Sequence, residues 1–282
     1  MLFGTKRDAN VYAFDAAGQP AGASYSFTNA QLSQAAAIAV GQDGMVYVYD
    51  DADGQVLRFT QAGGFVDVFS STGQTGMTTL TFDANGDLYL AGSLSGVYKV
   101  SGSTGALIGR YDSGVPLGVY KDIVFTATGE VYLASLAFGD SYLYRLNSDG
   151  SYAETVFTNS NSILNAPYSL ISGGGDLVYV MNHGSSQILT FDADAQTLTV
   201  LANGVTDGNS LVLSDDGFYA TAFSSGTSKI FEIDGSGTNQ GIFGGDVNPL
   251  FIAGAVPEPA TVAFVVTAVL VLLVPVIRRR RR

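Results

Sequence analysis

The sequence predicts an all-β chain, a six-bladed β-propeller of four-stranded blades, its ring closed by a C-terminal strand and followed by a single transmembrane helix. Three observations predict it. A turn-plus-strand unit recurs with its glycines, Gly44, Gly86, Gly129, Gly175 and Gly217, 42 to 46 residues apart. Each unit holds four short apolar or alternating runs separated by Gly-, Asn- and Asp-rich turns, the pattern of propeller blades. After Gly254 the chain changes from an acidic repeat to an uncharged apolar run that ends in five arginines.

The first strand of each unit is short and apolar: 37–40, 80–82, 123–125, 169–171 and 211–213. An Asp-Gly, Asn-Gly, Thr-Gly or Gly-Gly pair follows, where a tight hairpin turn needs positive φ. The second strand repeats a tyrosine, Tyr47, Tyr89, Tyr132 and Tyr179, whose register predicts packing between blades. The third strands, 56–59, 97–100, 143–146, 188–191 and 230–233, read apolar, variable, polar, apolar, as half-buried strands do. The fourth strands are 65–69, 106–111, 152–157, 197–201 and 240–243. The two chain ends supply the sixth unit. Residues 1–4, 11–14 and 24–27 match strands two to four, with Met1 aligned to Val46, and 249–254 has the character of the missing first strand. Such a closing strand protects sheet edges. A two-sheet sandwich does not predict the regular spacing, and a solenoid needs shorter coils.

Composition narrows the function. No cysteine excludes disulfide scaffolds, thiolate zinc sites and thiol catalysis, and one histidine excludes multi-His metal centres. Residues 1–257 hold 8 basic and 24 acidic side chains, which argues against nucleic acid and for a soluble, anionic body. The tail behaves oppositely. Residues 255–259 form a linker around Pro257, Glu258 and Pro259, and the two prolines keep it extended. Residues 260–277 carry no charge, and 18 helical residues span roughly 27 Å, close to a bilayer core. Arg278, Arg279, Arg280, Arg281 and Arg282 are expected to stay cytoplasmic, with the body on the other side.

The order Pro-Glu-Pro, apolar helix, arginine cluster resembles the PEP-CTERM sorting signal of exported bacterial proteins. The resemblance covers 256–282 and implies that Pro257, Glu258 and Pro259 are recognised by an exosortase-type membrane peptidase. It implies a protein of the cell envelope, surface or extracellular matrix, associated with exopolysaccharide or biofilm. Such proteins begin with a signal peptide. Here residues 1–12 hold no apolar leader and Met1 falls inside a strand, so a start further upstream is expected. The repeat unit itself resembles the NHL and SMP-30-like propellers. In SMP-30-like enzymes inward-facing acidic and amide residues hold a metal near the axis. The loops after the second strands carry Asp50, Gly92, Ser135, Asn182 and Phe223, which do not recur as ligands.

Candidate chemistry is sparse. Asp50, Asp51 and Asp53 precede Gly54 at spacing that suits Ca²⁺, but no glutamate follows at the twelfth loop position, and a polar turn explains them equally. Asp192 and Asp194 form a weaker pair. His183, after a second strand, is either a solvated loop residue or a ligand contact on one ring face. No Gly-x-Ser-x-Gly elbow accompanies it. The expectation is a non-enzymatic surface or matrix protein that binds exopolysaccharide or surface proteins and needs no cofactor. The alternatives are a metal-dependent lactonase-like hydrolase on the same ring and a matrix filler with no discrete ligand. The residues lining the axis distinguish the first two.

Overall fold

The computed structural model describes residues 1–15, 26–92, 96–214, 217–224, 227–243, 249 and 251–254. They form six antiparallel four-stranded sheets. From the axis outward, blade 1 is Phe251–Gly254, Leu2–Thr5, Val11–Phe14 and Ser26–Phe27. Blade 2 is Ala35–Val40, Val46–Asp50, Gln55–Phe59 and Phe65–Ser71. Blade 3 is Met77–Phe82, Leu88–Gly92, Gly96–Val100 and Leu107–Arg110. Blade 4 is Val119–Phe125, Val131–Ala137, Asp140–Leu146 and Tyr152–Thr158. Blade 5 is Pro167–Gly174, Leu177–Asn182, Gln187–Asp192 and Thr197–Asn203. Blade 6 is Gly208–Leu213, Gly217–Ser224, Thr227–Asp234 and Asn239–Phe243. The innermost strands of consecutive blades touch, blade 6 against blade 1 included, so the ring is closed. Among the described residues no helix is long and apolar enough to cross a membrane. The predicted linker, transmembrane helix, Pro257–Glu258–Pro259 motif and arginine cluster lie outside the described residues.

Six separate cores hold the ring, one between each pair of neighbours. Successive side chains of a strand point to opposite faces, so each blade serves two cores at once. In blade 2, Val46, Val48, Leu57 and Phe59 pack toward blade 1, while Tyr47, Tyr49 and Val56 pack toward blade 3. This is why the second strand is buried at every position rather than alternately. The recurring tyrosines are wedge-fillers: Tyr47, Tyr89 and Tyr132 are nearly inaccessible. Their hydroxyls reach acidic turn residues, Tyr47 to Asp43 at 2.9 Å, Tyr89 to Asp83 at 3.1 Å and Tyr132 to Glu130 at 2.6 Å. The phenol thus fills the wedge and satisfies its one polar atom at the blade end.

In blades 2 to 4 the hairpin turns between first and second strands are one residue longer than the two-residue type expected, whereas in blade 5 Gly174 pairs with Leu177 across the two residues Gly175 and Asp176. In blade 2 the Gly41 N–H donates to the Met45 carbonyl and the Gly44 N–H to the Gly41 carbonyl, with Gly44 at φ +74°. This is a type I turn closed by a glycine bulge, and only its last residue needs positive φ. Blades 3 and 4 repeat it at Asp83–Asp87 and Thr126–Glu130. These turns and those between third and outer strands share one end of the ring, the turn end, because the strands alternate in direction. The opposite, loop end gathers the second-to-third-strand loops and the connections from one blade to the next.

Two expected registers are corrected. Leu2, not Met1, takes the place of Val46: it pairs with Phe14 as Val46 pairs with Phe59. The loop that follows is one residue shorter in blade 1, and the shift puts Phe3 into the core shared with blade 2. In blade 6, Ala222 rather than Phe223 pairs with the start of the innermost strand, at Gly208.

Candidate functional site: the axial channel and its loop-end mouth

Each innermost strand of blades 2 to 6 carries a β-bulge at the same place. The pairing skips Ala36, Thr78, Lys121, Tyr168 and Asn209. A bulge gives one residue no partner and re-aims its neighbours. The residues just after it, Ala37, Thr79, Asp122, Ser169 and Ser210, line a cavity of about 490 Å³ along the axis, with Phe251 at the corresponding register of blade 1.

Polar atoms in this layer stitch blade to blade. The Thr79 hydroxyl of blade 3 donates to Asp122 Oδ1 of blade 4 at 2.6 Å. Asp122 Oδ2 accepts the Leu170 N–H of blade 5 at 2.8 Å, and Oδ1 also accepts the Ile123 N–H at 2.9 Å. Ser169 Oγ accepts the Leu211 N–H of blade 6, and Ser210 Oγ the Ile252 N–H of blade 1. Asp122 is 8% exposed. Burial pushes its carboxyl up to about 6, against the opposing pull of its hydrogen-bond donors. The other carboxylate in the lining, Asp83, accepts the Asn85 and Asp87 N–H groups and the Tyr89 hydroxyl. Both acids are therefore occupied by the scaffold.

The predicted aspartate triad does not converge. Asp50, fully buried, accepts the Ser33, Gln34 and Ala52 N–H groups at 2.7, 2.9 and 3.0 Å, tying the blade 1–2 connection to its own loop. Asp51 pairs with Arg7 at 3.3 Å and accepts the Gly76 N–H. Asp53 is exposed. Asn182 repeats the Asp50 role in blade 5, accepting the Asn165 N–H and donating to the Ile163 carbonyl. Among the described residues no group of three or more His, Asp or Glu is arranged to hold a metal ion.

His183 has a defined place at the loop end. Its ring stacks on Tyr168 at 4.0 Å and 9°, and its Nδ1 meets the Gly208 carbonyl at 2.9 Å. The Lys121 ammonium lies 4.2 Å from the Tyr168 ring centre. Tyr168 is thus held between Lys121 and His183. Burial holds Lys121 below its ordinary 10.5, and the charge of Arg7 adds to the shift. Arg7 belongs to blade 1, directly across the ring from blade 4, with its guanidinium 6.0 Å from the Phe251 ring centre. Lys121, Asp122 and Tyr168 were not among the residues singled out from the sequence. Their signal is the tetrad at the start of each innermost strand of blades 2 to 6: Ala35–Ile38, Met77–Leu80, Tyr120–Ile123, Pro167–Leu170 and Gly208–Leu211 align, and only blade 4 places charges in it.

The loop end also carries backbone strain. Of the six described non-glycine residues at positive φ, five lie there: Arg7, Phe138, Ala166, Ser186 and Asp207. Phe138 and Leu117 stand out in solvent beside them. Such conformations persist only where the surrounding structure holds them.

Sheets, channel and mouth define the chain as a six-bladed β-propeller of four-stranded blades. Among solved structures it is similar to one in a crystal structure of a nidogen/laminin complex, at TM-score 0.72 and 13% identity over 90% of this chain and 97% of that one. It is also similar to the structure of a streptogramin B lyase, at TM-score 0.56 and 15% identity over 74% of this chain and 68% of that one. No protein-family model and no curated protein sequence matches it.

Proposed function

We propose that the chain is an exported, non-enzymatic binding propeller of the bacterial surface or extracellular matrix, sorted by a PEP-CTERM-type tail and binding its ligand at the loop end. The observation that carries the binding reading is the axis. Its wall is made mostly of apolar and hydroxyl side chains, and the two carboxylates in it are engaged by scaffold hydrogen bonds. A metal-assisted hydrolase needs convergent ligands with an open coordination position. Calorimetry of the full chain with Ca²⁺, Mg²⁺ and Zn²⁺ is expected to give no stoichiometric heat. A site of micromolar affinity or tighter overturns the reading and favours the lactonase-like hydrolase.

The sorting half rests on Pro257–Glu258–Pro259, the uncharged 260–277 and Arg278–Arg282 in that order. In this reading the motif is recognised by an exosortase-type peptidase at the membrane face, the apolar segment holds the chain in the bilayer, and the arginines fix orientation. Each Arg costs roughly 2.5–3.5 kcal/mol at a bilayer centre, so five do not cross. Placed behind a secretory signal peptide in an exosortase-bearing host, the protein is expected to leave the membrane in a shortened form. With Pro257→Ala, Glu258→Ala and Pro259→Ala together it is expected to stay full-length and membrane-bound. Equal processing of both makes the segment an ordinary anchor.

A further inference from the structure

One cation at the loop-end mouth, Lys121, stands without a close counter-ion among the described residues. Arg7 is paired with Asp51, and Asp207 lies 4.0 Å from the His183 Nε2. Lys121 is half-buried, and among the described residues no carboxylate lies within 4.0 Å of its ammonium. This happens in a body where acids outnumber bases three to one. A partly desolvated cation without a counter-ion is costly unless something compensates it. The face of Tyr168, 4.2 Å from the ammonium, compensates part of that cost. The chain spends further contacts on keeping it there: Tyr168 is backed by His183, and His183 is fixed to the Gly208 carbonyl. The Thr78 hydroxyl bonds the Lys121 carbonyl at 3.4 Å, fixing the bulge from the other side.

We propose that this mouth is a binding site for a singly charged carboxylate, received by the Lys121 ammonium. One ammonium without a carboxylate in ion-pairing range offers a place for one negative charge. A phosphate or sulfate dianion brings an excess charge close to Asp51 and Asp207, and a metal ion meets Lys121 and Arg7 as like charges. Thr78 and Asn209 hold the same bulge position in blades 3 and 6, so neutral hydrogen-bonding groups share the layer with the cation. The site deepens the binding reading and rests on it, but it is independent of the tail, so the sorting experiment and this one fail separately.

The test is titration calorimetry of the full chain in non-ionic detergent with glucuronate and with propionate, against their neutral counterparts glucose and propionamide. At least one of the two acids is expected to bind at millimolar affinity or tighter, and neither neutral compound to do so. Binding of glucuronate alone assigns the carboxylate to a hydroxylated ring, and binding of both shows that the carboxylate suffices. Lys121→Met keeps the stem and removes the charge; it is expected to weaken binding at least tenfold, while Lys121→Arg retains most of it. Binding is expected to fade with rising pH before the ordinary lysine value of 10.5, since the deprotonated amine holds no anion. Thermal melting of Lys121→Met at or above the wild-type midpoint shows that the fold is intact. No heat with either acid, equal binding of the neutral compounds, tighter binding of inorganic phosphate, or unchanged affinity in Lys121→Met overturns the assignment.

Discussion

Asp122→Ala is expected to melt about 5–10 °C below the wild type at pH 5. The substitution strips the acceptor from the Leu170 and Ile123 N–H groups and from the Thr79 hydroxyl, all in the buried inner layer. Leaving buried donors unpaired costs about 2–4 kcal/mol here, and a domain of this size loses roughly 2–4 °C per kcal/mol. The same residue sets a pH dependence. Its carboxyl is at about 6 in the fold against an ordinary 3.8. The folded state therefore holds the proton more tightly than the unfolded one. Its contribution is greatest below pH 3.8, falls as pH rises from there to about 6, and is flat above. Two pH units correspond to about 3 kcal/mol. Asp122→Asn removes the titration, so between pH 4 and pH 7 the wild type should lose about that much stability relative to the variant in urea unfolding. Parallel curves for the two proteins contradict the assignment of Asp122 as a buried titrating clasp.

The second large effect concerns closure. A chain stopped after Phe243 is expected to lose cooperative unfolding and to associate, whereas one stopped after Gly254 unfolds in a single transition. Phe251–Gly254 pairs residue for residue with Leu2–Thr5 and completes blade 1. Ile252 and Ala253 are buried, in the cores shared with blades 6 and 2 respectively. Removing them withdraws roughly 1.5–3 kcal/mol for Ile252 alone and turns Leu2–Thr5 into an open edge ready to pair with another molecule. Light scattering and denaturant unfolding of the two chains decide it. Equal midpoints and no association mean that the ring does not depend on this strand.

The sequence carried the repeat because the blade ends are chemically marked. A glycine at the turn, a tyrosine two to four residues later and apolar pairs on either side survive in blades 2 to 6, and they count those blades without a structure. What it concealed lies in register. A bulge adds one residue to one strand and leaves the apolar pattern intact, so the innermost strands looked shorter than they are: 123–125 was expected where Val119–Phe125 forms. Asp122, which lines the axial cavity, and Lys121 beside it therefore fell outside the expected strand. The blade 1 offset has the same origin, since a loop shorter by one residue moves every side chain to the other face. His183 and the Asp50 cluster were legible as polar residues at the loop end. Their partners were not, because Ser33, Asn165 and Tyr168 come from the preceding connection or the neighbouring strand, outside any local motif.

The six shared cores have a consequence for how the molecule comes apart. A linear array of repeats frays from its ends, because a terminal repeat has one neighbour to leave. In the ring every blade is a wedge between two others, and lifting any one of them breaks two cores at once. Partial opening is expected to start only at blade 1, whose innermost strand is joined to the rest of its sheet through space and not through the chain. Slow amide exchange should accordingly be spread evenly over blades 2 to 6, with blade 1 as the single seam.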